Sequence, residues 1–300
     1  MANMPAPAMR LIVNPTADGG KGVAIAHQVS RELKQRQLKH EVVYSRSPTE
    51  PTLLARRAVA EGCPLVVGVG GDGLLSAVAN VLVGTDTALG IIPAGRGNDF
   101  ARGLGLPLDI PAACQVLAQK QARRIDVGQA HDIYFFSVAL MGVAADINRR
   151  ANRLRRLRIN AIYSLLTVVS VFLSSPVTFT ISCDGREQRC YSWLIAVGNT
   201  WSSGGGMKLV PRARADDGML DACLAHGMGR LELLLRVFPR VFRGTHVYLT
   251  GIESLRGREM VISADSPCDI YADGERIGPL PVTLRVVPQA LKVILPADDH

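Results

Sequence analysis

Leu65-Val66-Val67-Gly68-Val69-Gly70-Gly71-Asp72-Gly73 is the stretch on which the fold turns. The run Leu65–Val69 shows no polar alternation, as expected for a strand buried on both faces of a parallel sheet. It ends in glycines around one carboxylate. Each glycine raises the entropic cost of folding, so such a bend is an odd thing to build for stability alone. It lets backbone approach a polyphosphate, and Asp72 can reach Mg²⁺ or polarise a hydroxyl. The plain alternative is an Asp that caps the following helix, Leu74–Val83.

Two similar bends flank this one. Upstream, the apolar run Met9–Pro15 ends at Asn14-Pro15. A glycine-rich loop over 17–22 follows, then helical spacing over Val23–Gln37. Free N–H groups there suit phosphate, although the loop lacks the Walker A pattern and also reads as an ordinary strand-to-helix turn. Downstream, the strand candidate Ala88–Pro93 runs into Gly95-Arg96-Gly97-Asn98-Asp99. Arg96 suits a phosphate. Asn98 or Asp99 suits the N-cap of the next helix, which with exposed arginines is the plainer reading. His40–Ser45 reads as a further strand and 51–61 as a helix. Strands separated by helices imply right-handed βαβ units and a parallel sheet whose ligands bind at the strands' carboxyl ends.

Beyond about residue 125 the pattern changes. Short strand candidates follow one another: Tyr134–Leu140, Val177–Ser182, Ser192–Val197, Leu220–Ala225, Glu259–Ser263, Cys268–Ala272 and Val282–Val287. Asp184-Gly185 and Asp273-Gly274 are turn signals. Helical insertions over Arg150–Leu173 and Arg230–Phe242 interrupt them. The expected architecture is an N-terminal parallel-sheet α/β nucleotide-binding domain over 1–126. A mostly antiparallel, β-sandwich-like domain follows over 127–300.

Composition bounds the function. The 300 residues hold 34 Lys and Arg against 26 Asp and Glu, a net charge of +8 that suits an anionic partner. Aromatics at 5% argue against a single-strand stacking platform, and no nucleic acid is expected. The 6 cysteines show neither C-x-x-C spacing nor a zinc pattern. The start has no apolar run of a secretory signal, and the expected location is the cytoplasm. A spanning helix needs about 20 apolar residues. Ile159–Leu173 is shorter and is broken by Asn160, Ser164, Thr167 and Ser170.

These motifs carry a family resemblance. Val13-Asn14-Pro15, Gly70–Gly73, Pro93–Arg102, Gly204-Gly205-Gly206-Met207, Asp216–Asp221 and Asp273-Gly274-Glu275 span nearly the whole chain. In that order they resemble the soluble lipid kinases of the diacylglycerol kinase and sphingosine kinase family, in their compact bacterial form. The resemblance implies ATP and Mg²⁺ as cofactors and phosphoryl transfer to a lipid hydroxyl. It implies that Asn14, Pro15, Thr16, Ala17 and Asp18, then Ser45 or Ser47, then Gly70, Gly71, Asp72, Gly73, Leu74, Leu75 and Ser76 line the nucleotide. Arg96, Asn98 and Asp99 complete that set. Glu275 matches the general base, with Asp273 beside it and Asp72 organising Mg²⁺. Asp217 would hold a structural Mg²⁺ with the carbonyls of Arg214 and Met219. The last strand, about 290–296, would return to the first domain.

Three positions depart from the family pattern. Leu74 stands where threonine is usual, Ser76 and Ala77 where Asn-Glu is usual, and Arg96 where another threonine is usual. A lost hydroxyl at 74 bears on rate and nucleotide geometry, and Arg96 could offset it by charge. Two other readings therefore stay open: a kinase of a soluble acceptor such as NAD, and a nucleotide- or lipid-binding module with weak catalysis. On the membrane side, Arg149, Arg150, Arg153, Arg155, Arg156 and Arg158 precede the apolar helix. Such a cluster suits an anionic lipid surface during catalysis, and equally a solvated helix start. Val237, Phe238, Val241 and Phe242 have the helical spacing of a core face.

Overall fold

A computed structural model describes residues 7–153 and 162–297. The chain forms two units, Met1–Asp126 with Pro288–His300, and Val127–Val287. The first unit runs β1 (Arg10–Val13), a short turn α1 (Ala17–Gly20), α2 (Gly22–Gln35), β2 (Glu41–Tyr44), α3 (Glu50–Ala60), β3 (Leu65–Gly70), α4 (Asp72–Leu82), β4 (Ala88–Pro93), α5 (Asp99–Gly103), α6 (Ile110–Gln119) and the start of β5 (Ala122–Ala130).

β1, β3 and β4 are buried along their whole length, β3 and β4 as apolar runs and β1 with its first residue, Arg10, paired to Glu41 and Glu61. β1 pairs in parallel with β2 and β3, and β3 with β4. Parallel strands send their carboxyl ends to one edge. Asn14, Ser45, Gly71 and Ala94 therefore emerge together along that edge.

The second unit continues with β6 (Ile133–Phe135), β7 (Val138–Gly142), α7 (Val143–Arg153), α8 (Ile162–Leu173), β8 (Val177–Cys183), β9 (Arg186–Gly198), β10 (Ser202–Ser203), β11 (Met207–Lys208) and β12 (Leu220–His226). Then come α9 (Arg230–Glu232), a π-helical turn (Leu233–Val237), α10 (Phe238–Val241), β13 (Ile252–Gly257), β14 (Glu259–Ala264), β15 (Asp269–Ala272), β16 (Glu275–Pro279) and β17 (Val282–Ile294). Pairing among β7–β9 and β12–β16 is antiparallel. β9 pairs with β8 through its first half, then with β7 and β12 through its second. Its core includes Phe135, Met141, Phe179, Leu224, Met260 and Leu284. The architecture is thus a parallel α/β unit followed by an antiparallel β-rich one, the class expected from the sequence.

Several element boundaries differ from the sequence reading. The run Tyr134–Leu140 is two strands, because Phe136 and Ser137 give their N–H groups to the Asp273 carboxylate. Val282–Val287 and the stretch 290–296 are one strand, β17. Its end pairs in parallel with β4 at Val293 and Leu89. The first insertion begins earlier, at Val143, and residues 154–161 lie outside the described ones. The second is not a continuous α-helix: Pro239 brings no N–H, and the π turn directly precedes it. Among the described residues, no helix is long and apolar enough to cross a membrane.

Candidate active site

In the first unit the Asn14 side chain shapes its own loop. Asn14 Oδ1 accepts the Thr16 N–H at 3.0 Å and the Thr16 hydroxyl at 2.8 Å, an Asx turn. Asp18 sits at φ 45° and pairs with Lys21 at 3.2 Å. Ala17 is buried. Ser45 is buried too, and both its N–H and its hydroxyl go to the Val13 carbonyl, at 2.8 and 3.2 Å. Ser45 thus ties β2 to β1, and its hydroxyl is not turned to a ligand as the resemblance implied.

The second and third loops meet backbone to backbone. A Cβ added to Gly95 would stand 2.5 Å from the Gly71 Cα, closer than real Cβ atoms come. These glycines are therefore required by loop packing, whatever else they admit. Asn98 completes the arrangement in the left-handed region at φ 52°. Its Oδ1 accepts the Gly95 N–H at 2.8 Å and its Nδ2 donates to the Gly95 carbonyl at 3.1 Å. Asn98 closes the loop and does not cap α5 with its side chain. Asp72 does that instead: its Oδ1 accepts the Phe100 N–H at 3.1 Å.

Two carboxylates converge here. A Cβ on Gly97 would lie 2.9 Å from Asp99 Oδ2 and 3.0 Å from Asp72 Oδ2. Burial holds the Asp72 carboxyl above the usual carboxylate range, and the Asp99 charge adds to this. The N–H groups of Phe100, Asp99 and Asn98 pull the other way. Two hard oxygens over a bare glycine fit a divalent cation, the kind that accompanies a triphosphate. Arg96 is exposed beside them.

Leu74 and Leu75 do not fit the role the resemblance gave them. Both side chains are buried, Leu74 against Gly70 and Leu75 in the core. Both N–H groups are spent on the Gly71 carbonyl, at 3.0 and 3.1 Å. Ser76 is half-buried on the same helix, and Gly73 is exposed at its first turn.

In the second unit Asp273-Gly274 is a hairpin turn between β15 and β16. Positive φ at both residues, 49° and 85°, is the geometry that favours Asp-Gly. The Asp273 carboxylate accepts the Phe136 and Ser137 N–H groups, each at 2.8 Å, so it fixes the break between β6 and β7. Glu275 starts β16 and is exposed. The turn therefore assigns structure to Asp273 and leaves the carboxylate at 275 on the surface.

Asp217 is engaged from two sides. Its Oδ1 accepts the Met219 N–H at 3.1 Å and its Oδ2 pairs with Arg256. Arg256 also approaches the buried Asp221 Oδ2 at 3.8 Å. Arg214 grips Asp216 with two nitrogens at 3.0 and 3.1 Å. One oxygen of the Asp217 carboxylate expected to hold a structural Mg²⁺ is thus occupied by the Arg256 guanidinium. Arg256 carries no motif and came from a separate strand, so the sequence offered no signal for it.

An apolar cavity of about 120 Å³ lies in the same unit. Leu140, Val143, Val171, Leu194, Val237 and Phe238 are among its walls. Leu140 is on β7, whose neighbour Ala139 pairs with Ala272, the residue before the Asp273-Gly274 turn. Of the basic cluster, Arg149 pairs with Asp146 and Arg150 is half-buried. Arg155, Arg156 and Arg158 lie outside the described residues.

Residues 8–130 match the diacylglycerol kinase catalytic domain, and residues 137–295 the YegS C-terminal NAD kinase beta sandwich-like domain. A diacylglycerol kinase of Mycobacterium tuberculosis is 35% identical over 292 residues, covering 95% of this chain and 94% of that protein. A diacylglycerol kinase of Bacillus subtilis is 28% identical over 295 residues, covering 96% of each. The crystal structure of a diacylglycerol kinase from Bacillus anthracis superposes with a TM-score of 0.80 at 22% identity, covering 96% of each chain. Matched along both units and over nearly its full length, the chain belongs to the diacylglycerol kinase family of kinases.

Proposed function

We propose that this chain transfers the γ-phosphoryl group of ATP to a hydroxyl of a lipid of the diacylglycerol type. The observation that carries the reading is the apolar cavity in the unit that also bears Glu275. A cavity walled by aliphatic and aromatic side chains suits an acyl chain and offers little to a soluble dinucleotide.

The triphosphate is read onto the carboxyl edge of the parallel sheet. The start of α4, where Gly73 is exposed, and the glycine-rich loop after Asn14 lie at that edge, and Arg96 adds a charge. Asp72 and Asp99 would hold Mg²⁺, which when bound neutralises phosphate charge. Glu275 accepts the proton of the lipid hydroxyl as the new P–O bond forms. The bond from the γ-phosphorus to the bridging oxygen breaks, and ADP leaves. A positioned carboxylate base contributes about 10²–10⁴-fold. The acceptor places the work at a membrane surface.

The test is a phosphoryl-transfer screen. Labelled ATP and Mg²⁺ are incubated with a lipid extract in mixed micelles, beside Glu275→Ala. A labelled lipid that vanishes in the variant is expected. Conversion of NAD to NADP, with no labelled lipid, would overturn the reading.

A further inference from the structure

The helical segment that walls the cavity also carries an outward apolar face. Leu231 and Leu235 are 63% and 71% exposed, and Phe242 is 52% exposed. Phe238 packs edge-on against Phe242, with ring centroids 5.9 Å apart. Phe238 itself is half-buried and lines the cavity, so the outward apolar side chains of the segment include Leu231, Leu235 and Phe242. The neighbouring helix α8 adds Phe172 and Leu173, 54% and 66% exposed. The two segments are tied: the Arg230 guanidinium donates to the carbonyls of Val171 at 3.3 Å and Ser174 at 3.2 Å.

Charge singles out one occupant for this face. Between 230 and 243 the chain holds Arg230, Arg236, Arg240 and Arg243 against Glu232 alone. Arg240 and Arg243 are exposed beside Phe242. An apolar stripe flanked by arginines is the chemistry of a segment lying in the headgroup boundary of an anionic bilayer. The same segments also form the cavity wall. Thr167, Val171, Val237 and Phe238 line the inside, while Phe172, Leu231 and Leu235 point out, and Phe242 does both.

We infer that the face made by Leu231, Leu235, Phe242, Phe172 and the arginines at 240 and 243 docks the protein on an anionic lipid bilayer. The inference rests on the lipid-kinase reading for its purpose, and on exposure and charge for its location. It places a contact on the second insertion, separate from the basic cluster at 149–158. The π-helical turn sits in the middle of this face, where such turns often mark function.

Binding is measured by co-sedimentation with vesicles of phosphatidylcholine, with and without phosphatidylglycerol as the anionic lipid. Wild-type protein is expected on the anionic vesicles only. The double variant Leu231→Ser, Leu235→Ser should lose at least tenfold in partition. Each of Arg240→Glu and Arg243→Glu should lose at least about fivefold, the equivalent of about 1 kcal/mol per basic residue near the surface. Circular dichroism confirms that each variant is folded. Independently, Leu235→Trp in an otherwise intact chain should be quenched by brominated acyl chains. Unchanged partition of the folded variants, or no quenching at 235, would overturn the docking face. So would a wild-type dimer that the double serine variant dissociates, since a second copy would then cover the stripe. None of these readouts uses turnover. Vesicle binding lost in the variants, with no lipid phosphorylated by the wild type, sinks the kinase reading and leaves the docking face standing.

Discussion

Asp72 Oδ1 accepts the backbone N–H of Phe100 at 3.1 Å, joining the loop after β3 to the start of α5. The carboxylate is held by that bond yet is crowded by Asp99 and by burial, which together raise its pKa. An acid that binds its proton more tightly in the native state than when unfolded makes stability fall as pH rises between the two pKa values. Above that window the loss is constant, and below the ordinary carboxylate range it is absent. Asp72→Asn keeps an oxygen for Phe100 and removes the charge. Near neutral pH the variant should melt about 2–4 °C higher than wild type. The gap should close in acid, and turnover should fall sharply. A gap independent of pH would show that crowding by charge is not the cause.

The close approach of Gly71 and Gly95 separates packing glycines from exposed ones. Gly95→Ala forces a methyl into the facing backbone and should cost about 1–3 kcal/mol in urea unfolding. Gly73→Ala meets nothing within 4 Å. It should leave stability unchanged or raise it by about 0.5–1 kcal/mol, as alanine does in a helix. A fall in ATP affinity in Gly73→Ala, with stability intact, would locate the phosphates over that residue.

Neighbouring carboxylates on one turn should respond in opposite ways. Asp273→Ala strands the N–H groups of Phe136 and Ser137, a loss of about 2–4 kcal/mol. Glu275→Gln should unfold like wild type and lose about 10²–10⁴-fold in kcat. Equal destabilisation by both would remove the distinction drawn between a structural and a chemical carboxylate.

At Asp217 the resident cation is Arg256. EDTA should therefore shift the wild-type melting temperature by less than about 1 °C. Arg256→Ala should cost about 1–3 kcal/mol by leaving Asp217 and the buried Asp221 without it. Millimolar Mg²⁺ should then recover part of that loss. A large EDTA effect on the wild type would mean that an ion, with Arg256 displaced, is the working arrangement.

Leu74 is core. Leu74→Thr, which introduces the hydroxyl that the family resemblance leads us to expect, places it against Gly70 in apolar surroundings. It should cost about 1–3 kcal/mol and bring no gain in turnover. A large rise in kcat would mean that the helix start rearranges when the nucleotide binds.

The legible parts of the molecule were those with local causes. The buried run Leu65–Val69 and the glycines after it were enough to read a parallel sheet, because a strand covered on both faces leaves no polar alternation. The Asp273-Gly274 hairpin was legible for the same reason, since few dipeptides tolerate two successive positive φ values. What escaped depended on partners far away in the chain. Phe136 and Ser137 look like strand residues until Asp273, more than a hundred positions on, takes their N–H groups. Arg256 looks like any strand arginine until Asp217 is opposite it. Ser45 has the hydroxyl of a ligand contact, but the Val13 carbonyl claims it.

β17 carries one further consequence. Residues 282–287 of this strand belong to the second unit and 288–294 to the first. Protein synthesis therefore delivers the strand beside β4 only after the whole of the second unit. Until then β4 offers an open edge to any passing strand, the kind of edge that recruits misfolded neighbours. A premature stop shortly before residue 288 would leave the N-terminal coding sequence untouched and still strip the first sheet of a strand.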